Sequence, residues 1–121
     1  NPALGWGDNP KAYGKNFRVL GMPDPGTFAE YLVIEAKYLH PKPAHLDFAE
    51  AAALPLGGLT AWRALFSRGK LRSGERVLIS GIGGGVALLG LQLALAAGAD
   101  VWATSGSDEK LERAKALGAM G

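Results

Sequence analysis

An α/β fold built around a parallel sheet is predicted by three features of this sequence. The first is the short apolar run Val77-Leu78-Ile79-Ser80, bounded by polar and glycine residues, which suits a buried parallel strand. The second is the turn Gly81-Ile82-Gly83-Gly84-Gly85-Val86-Ala87 that follows it directly. The third is Val86 to Ala97, apolar on every face except Gln92, which reads as a helix buried on most sides. A glycine-rich turn between strand and helix presents free N–H groups, at the positive end of the helix dipole, to an anion above it. That is where a pyrophosphate binds in dinucleotide folds.

Composition narrows the class. At 121 residues, 48% of them hydrophobic and with mean hydropathy +0.08, the chain can bury a core and is not a disordered tail. The absence of cysteine excludes disulfides and thiolate metal sites within it and fits a cytoplasmic protein. The net charge is +2 and the pI about 9.1, but the basic residues are scattered. Their densest cluster, Arg68, Lys70, Arg72 and Arg76, reads as a solvated connector, so no nucleic-acid partner is expected. No apolar run approaches the ~18 residues of a membrane span, and no basic-then-apolar leader opens the chain. A soluble, cytoplasmic protein without a membrane partner is the expectation.

The elements follow in order. Asn1 to Asn16 reads as loop, Phe17 to Leu20 as a short strand, and Gly21-Met22-Pro23-Asp24-Pro25-Gly26 as a turn. Thr27 to Glu35 is β-rich, with Phe28, Tyr31 and Val33 available to pack, and Lys37 to Leu39 predicts another short strand. Antiparallel β structure is therefore expected in the first third. Asp47 and Glu50 have capping-box spacing and open a helix, Phe48 to Ala53, that Pro55 should stop. Leu59 to Phe66 predicts a second helix, ended near Gly69. After the glycine turn and its helix, Gly98 acts as a C-terminal stop and Val101 to Thr104 is the second parallel strand. Ser107 or Asp108 caps a last helix with Leu111, Ala114 and Leu117 on one side, Glu109 and Arg113 four apart in the favourable order, and Gly118 closing it.

The plan is thus β-rich, two helices, then β-α-β-α. Two parallel strands leave the apolar helix poorly covered, which leads to the expectation of an internal piece of a larger enzyme.

Several landmarks stand in register with a known family. Gly26-Thr27-Phe28-Ala29-Glu30-Tyr31, Ala51-Ala52-Ala53-Leu54-Pro55 and Leu59-Thr60-Ala61-Trp62-Arg63-Ala64-Leu65 come first. Gly74-Glu75-Arg76-Val77-Leu78-Ile79, the glycine turn, and Lys110-Leu111 through Leu117-Gly118-Ala119 follow in the same order. Together they resemble the medium-chain dehydrogenase/reductase superfamily, nearest its quinone-oxidoreductase-like and zinc-type alcohol dehydrogenase-like group. The resemblance implies the tail of a GroES-like catalytic domain with its crossing segment in residues 1–53. In residues 54–121 it implies the first β-α-β-α of a Rossmann doubly wound parallel sheet. It also implies a small-molecule substrate and a homo-oligomer, a dimer or tetramer.

Many members read Gly-x-x-Gly-Gly-Val-Gly at the turn; Ala87 takes the last place here, a substitution accepted where helix and strand lie close. Gly81, Gly83, Gly84 and Gly85 are the candidate turn residues, and Val86 would flank the cofactor. The bland alternative is an ordinary tight turn. An NAD site places an acid about 20 residues after the turn to hold the ribose hydroxyls. Ser105 stands there, 21 residues after Gly84, with no charge to repel a 2′-phosphate, and Gly106 leaves room for one. In NADP-using relatives a lysine matching Lys110 meets that phosphate. The competing reading makes Ser107-Asp108-Glu109-Lys110 only a good helix start with a solvated lysine. The expected cofactor is NADP.

Thr60 matches a threonine close to the nicotinamide in relatives; the alternative is a helix residue bonding its own backbone. In zinc-dependent relatives a metal ligand lies four residues before that threonine, where this chain has Leu56, which cannot bind a metal. His40 and His45 flank prolines and read as surface residues. The resemblance then implies zinc-independent hydride transfer from NADPH to a quinone or an activated double bond, with no catalytic acid nameable in this stretch. The alternatives are a zinc-type alcohol dehydrogenase of the same superfamily, a non-enzymatic NADPH-binding protein, and a reductase module of a multienzyme synthase.

Overall fold

The computed structural model describes residues 3–4 and 14–121. Most of the loop expected over Asn1 to Asn16 lies outside them. The chain divides into two compact units, Asn1–Pro55 and Leu56–Gly121.

In the first unit, β1 (Ala3–Leu4) pairs antiparallel with β2 (Arg18–Leu20), so part of the expected loop is strand. The turn after β2 folds back tightly. Gly21 takes φ +95°, and β3 (Pro23–Asp24) lies beside β2 in parallel register, Val19 opposite Pro23. The Arg18 guanidinium pairs with the Asp24 carboxylate across these strands, which raises the arginine's pKa.

The β-rich expectation for residues 27–35 is not met. No strand forms there, and Phe28, Tyr31 and Val33 are almost fully exposed. Strand preference is mostly a preference for cross-strand neighbours, and no described strand pairs with this stretch. The strand predicted at Lys37 to Leu39 is a 3-10 turn, Ala36–Tyr38, closed by Tyr38 N–H to Glu35 O and Leu39 N–H to Ala36 O, each 3.0 Å.

The capping box is present. Asp47 N–H donates to Glu50 Oε2 at 2.9 Å, and Glu50 N–H to Asp47 Oδ1 at 2.7 Å. The helix it opens, α1 (Phe48–Trp62), runs through Pro55 rather than stopping there. Pro55 removes one N–H from the ladder and sets its ring against the preceding turn, a cost of about 3 kcal/mol that the helix carries without breaking. The second predicted helix is therefore the continuation of the first, and residues Arg63–Arg68 widen into a π-helical turn. Gly69 N–H reaches back five residues to Ala64 O at 2.8 Å and so ends it.

The second unit holds the core. β4 (Arg76–Ile79) pairs in parallel with β5 (Asp100–Ala103), Val77 opposite Val101 and Ile79 opposite Ala103. Between them runs α2 (Gly85–Ala96), and α3 (Asp108–Ala116) follows β5. Leu91 and Ala94 of α2, Val101 and Ala103 of β5, and Ala114 of α3 form one buried cluster. The alanines let both helices lie close to the sheet, while Leu91 and Val101 supply the largest buried side chains.

Both helices end in the same way. Gly98 takes φ +79°, with Gly98 N–H on Leu95 O and Ala99 N–H on Ala94 O; Gly118 (φ +114°) and Ala119 repeat the pattern on Lys115 and Ala114. These are Schellman closures, where glycine avoids the Cβ clash of a left-handed residue. On α3 the ion pair is Glu112–Lys115 at 2.9 Å; among the described residues Glu109 and Arg113 make none.

Within the second unit the helices cover one face of the sheet. Val77, Ile79, Val101 and Ala103 face the helices, while Leu78 and Trp102, register partners on the other face, stay exposed. The helix expected to be buried on most sides likewise buries one stripe, Gly90, Leu91 and Ala94, and leaves Val86 and Leu88 in the open. A two-stranded sheet is too narrow to do more.

Candidate functional site

The site forms where β4 ends. Gly81 takes φ +69°, and Gly84 N–H returns to Gly81 O at 3.1 Å, turning the chain sharply. Gly84 is then the N-cap of α2 in extended conformation and has no side chain to cap with. The first-turn N–H groups of α2 are thus left for a ligand. A Cβ built on Gly81 or Gly85 would meet nothing within 4 Å, and one on Gly84 only Gly81 O at 3.7 Å. The space over this turn is open, which fits an anion approaching the backbone.

Ile82 is the exception within the turn. It is buried, and its N–H donates to Thr104 O at 3.0 Å, while Thr104 N–H donates to Ile79 O at 3.0 Å. These two bonds tie the end of β5 to the turn and set Ser105 and Gly106 beside it. Ser105 Oγ accepts a hydrogen bond from Ser107 N–H at 3.2 Å, and Gly106 has open space at its Cβ position.

Lys110 reaches the turn from α3. A Cβ on Gly83 would stand 2.9 Å from Lys110 Nζ and 2.9 Å from its Cδ. The lysine charge is therefore not simply projected into solvent; it lies along the glycine turn.

On the other side, Gly84, Gly85 and Val86 line a cleft of about 520 Å3 together with Ala61, Leu65 and Leu78. Thr60 does not line it. Its Oγ1 donates to Leu56 O at 2.8 Å, so its proton is committed to its own helix, with the oxygen lone pairs still available.

The seven candidates Gly81, Gly83, Gly84, Gly85, Val86, Ser105 and Gly106 are thus gathered at one end of the sheet with Lys110, while Thr60 is not among the residues lining the cleft. Two residues beside the turn were not among the candidates read from the sequence. Leu88 and Arg113 line a cavity of about 200 Å3 with Gly83 and Lys110. The signal for Arg113 was its place three residues after Lys110, one turn along the same helix face. Among the described residues no group of three or more His, Cys, Asp or Glu side chains could hold a metal ion, and His40 and His45 are exposed. No described helix is long and apolar enough to cross a membrane.

Strand, glycine turn, uncapped helix and parallel second strand define the nucleotide-binding α/β unit of Rossmann type. No protein-family model matches the chain. A zinc-type alcohol dehydrogenase-like protein of Leptosphaeria maculans is 39% identical over 127 residues, covering 99% of this chain and 36% of that protein. A crystal structure of an NAD-dependent alcohol dehydrogenase superposes with TM-score 0.86 at 42% identity, over 98% of this chain and 36% of that one. The quinone oxidoreductase of Thermus thermophilus, solved also in complex with NADPH, superposes with TM-score 0.73 at 36% identity, over 86% of this chain and 34% of that one. The chain belongs to the medium-chain dehydrogenase/reductase superfamily. It spans about a third of the length of these relatives.

Proposed function

We propose that this chain holds the cofactor of an oxidoreductase that uses NADPH to reduce a small molecule, a quinone or an activated double bond, without zinc. The observation that carries the reading is the pairing of Lys110 against Gly83 with an uncharged Ser105 at the end of β5. A positive group against the turn and an uncharged residue at the Ser105 position favour an extra phosphate over a bare ribose; the acids Asp108 and Glu109 follow in the first turn of α3. The reduced nicotinamide supplies the hydride; the protein binds and orients it. In this reading the first-turn amides of α2 take the pyrophosphate, Gly84 and Gly85 allow its approach, Val86 packs against the cofactor, and Ser105, Gly106 and Lys110 receive the adenosine end. Thr60 contributes an acceptor oxygen near the nicotinamide.

Zinc independence rests on Leu56, which has no donor atom where zinc-dependent relatives have a ligand. The second reading is an alcohol dehydrogenase, favoured by the names of two relatives. A homo-oligomer in the cytoplasm accompanies the first reading.

A paired titration with NADPH and NADH, read by fluorescence of the reduced nicotinamide, tests it. Tight NADPH with weak NADH is expected, and equal binding would overturn the charge argument. Metal analysis of the purified protein separates the two chemistries: stoichiometric catalytic zinc would remove the zinc-independent reading.

A further inference from the structure

Two cations converge beside the glycine turn, and the reading above uses only one. Lys110 and Arg113 stand one turn apart on α3 and share the cavity of about 200 Å3 whose other walls include Ile82, Gly83, Leu88 and Leu117. Its floor is apolar and its charge is all positive. Neither cation is neutralised within the helix. Glu112 is taken by Lys115, Asp108 and Glu109 form no ion pair with either, and among the described residues no further salt bridge reaches this face.

Two like charges at this spacing repel by a few tenths of a kcal/mol, a cost that a bound dianion would reverse. The guanidinium fork suits a phosphomonoester, which offers several oxygens and up to two negative charges. The pyrophosphate has its own partners, the first-turn amides of α2.

We propose that Arg113 is a second specificity-determining residue, which with Lys110 forms the subsite for the phosphomonoester on the adenosine ribose of NADPH. This rests on the NADP reading and assigns to that phosphate a residue outside it. Arg113 is exposed and is not itself a member of the buried cluster, so its replacement leaves the fold intact.

The test is a binding titration of the protein and of Arg113→Gln, Arg113→Lys and Lys110→Ala with four probes: NADPH, NADH, adenosine 2′,5′-bisphosphate and AMP. For Arg113→Gln, NADPH and the bisphosphate weaken about tenfold while NADH and AMP stay within about twofold, as expected for loss of one charge-assisted contact. Arg113→Lys, which keeps the charge but not the fork, loses less NADPH affinity than Arg113→Gln without regaining that of the parent. If the parent protein prefers NADPH but Arg113→Gln binds it unchanged, the inference fails and the NADP reading survives. Equal losses for all four probes would make Arg113 a residue of the fold, which also overturns it. A parent protein that binds NADH as tightly as NADPH removes both.

Discussion

Lys110, in the first turn of α3, lies against Gly83, so that a methyl group added to Gly83 would come within 2.9 Å of its ammonium nitrogen. The two residues are far apart in the chain and on different elements, and only the fold brings them together. The contact places a positive charge at the edge of a turn whose helix start has no side-chain cap.

Removing that charge should separate the two nicotinamide cofactors. Lys110→Ala is expected to weaken NADPH about tenfold and to leave NADH within about twofold, since a contact to a charged group contributes roughly 1.5–3 kcal/mol. Isothermal titration with both cofactors measures it. Parallel losses would show the lysine serving the shared pyrophosphate instead.

Ser105 offers the converse change. Its Oγ already accepts from Ser107 N–H, so an aspartate there can keep that bond while adding a negative charge. Ser105→Asp should raise the NADH-to-NADPH affinity ratio by about tenfold or more through repulsion of the 2′-phosphate and hydrogen bonds to the free ribose hydroxyls. A ratio that does not move would put the end of β5 away from the ribose.

Gly84 distinguishes room for the fold from room for a ligand. Its φ is −86°, and an added Cβ would meet only Gly81 O at 3.7 Å. The folded chain therefore has room for a Cβ at Gly84, and Gly84→Val carries the N-cap cost of an apolar residue, about 1 kcal/mol. Both cofactors should nonetheless lose at least about tenfold in affinity, because the side chain fills the approach to the first-turn amides of α2. Circular dichroism tracks the fold and titration the affinity; retained binding would mean that the pyrophosphate lies elsewhere.

The capping box at Asp47 predicts a stability effect without a cofactor effect. Asp47→Ala leaves Glu50 N–H unpaired at the start of α1 and should destabilise by ~1 kcal/mol in urea unfolding, with Asp47→Asn recovering most of it. An unchanged midpoint would indicate that the box is frayed in solution.

What was legible in the sequence is what short-range chemistry decides. The capping box, the two glycine closures at Gly98 and Gly118, and the turn from Gly81 to Gly85 are made by residues within a few positions of one another. Their hydrogen bonds therefore follow from local residue type. The parallel strands were legible for a related reason: two apolar runs joined by a helix have the pattern of a parallel crossover unit, and Val77 and Val101 pair in that way. The superfamily landmarks named Ser105 and Lys110 as candidates, and in the fold Lys110 lies against Gly83 of the glycine turn.

Tertiary structure decided the rest. Thr27 to Glu35 has strand-forming residues but no strand beside it, and without a cross-strand partner its preference has nothing to act on. Pro55 was expected to break a helix, yet α1 carries it in its interior despite a cost of about 3 kcal/mol for the lost hydrogen bond and the clash of the ring with the preceding turn. The face of α2 that is buried, and the face that is open, depend on how many strands lie beneath it rather than on its uniformly apolar sequence. Arg113 became visible as a partner of Lys110 only once α3 was laid against the glycine turn. Residue type alone thus determined the turns, caps and pairing direction of this protein. Which side chains meet across the turn was decided by packing, because contacts between distant positions depend on the coordinates of every element between them.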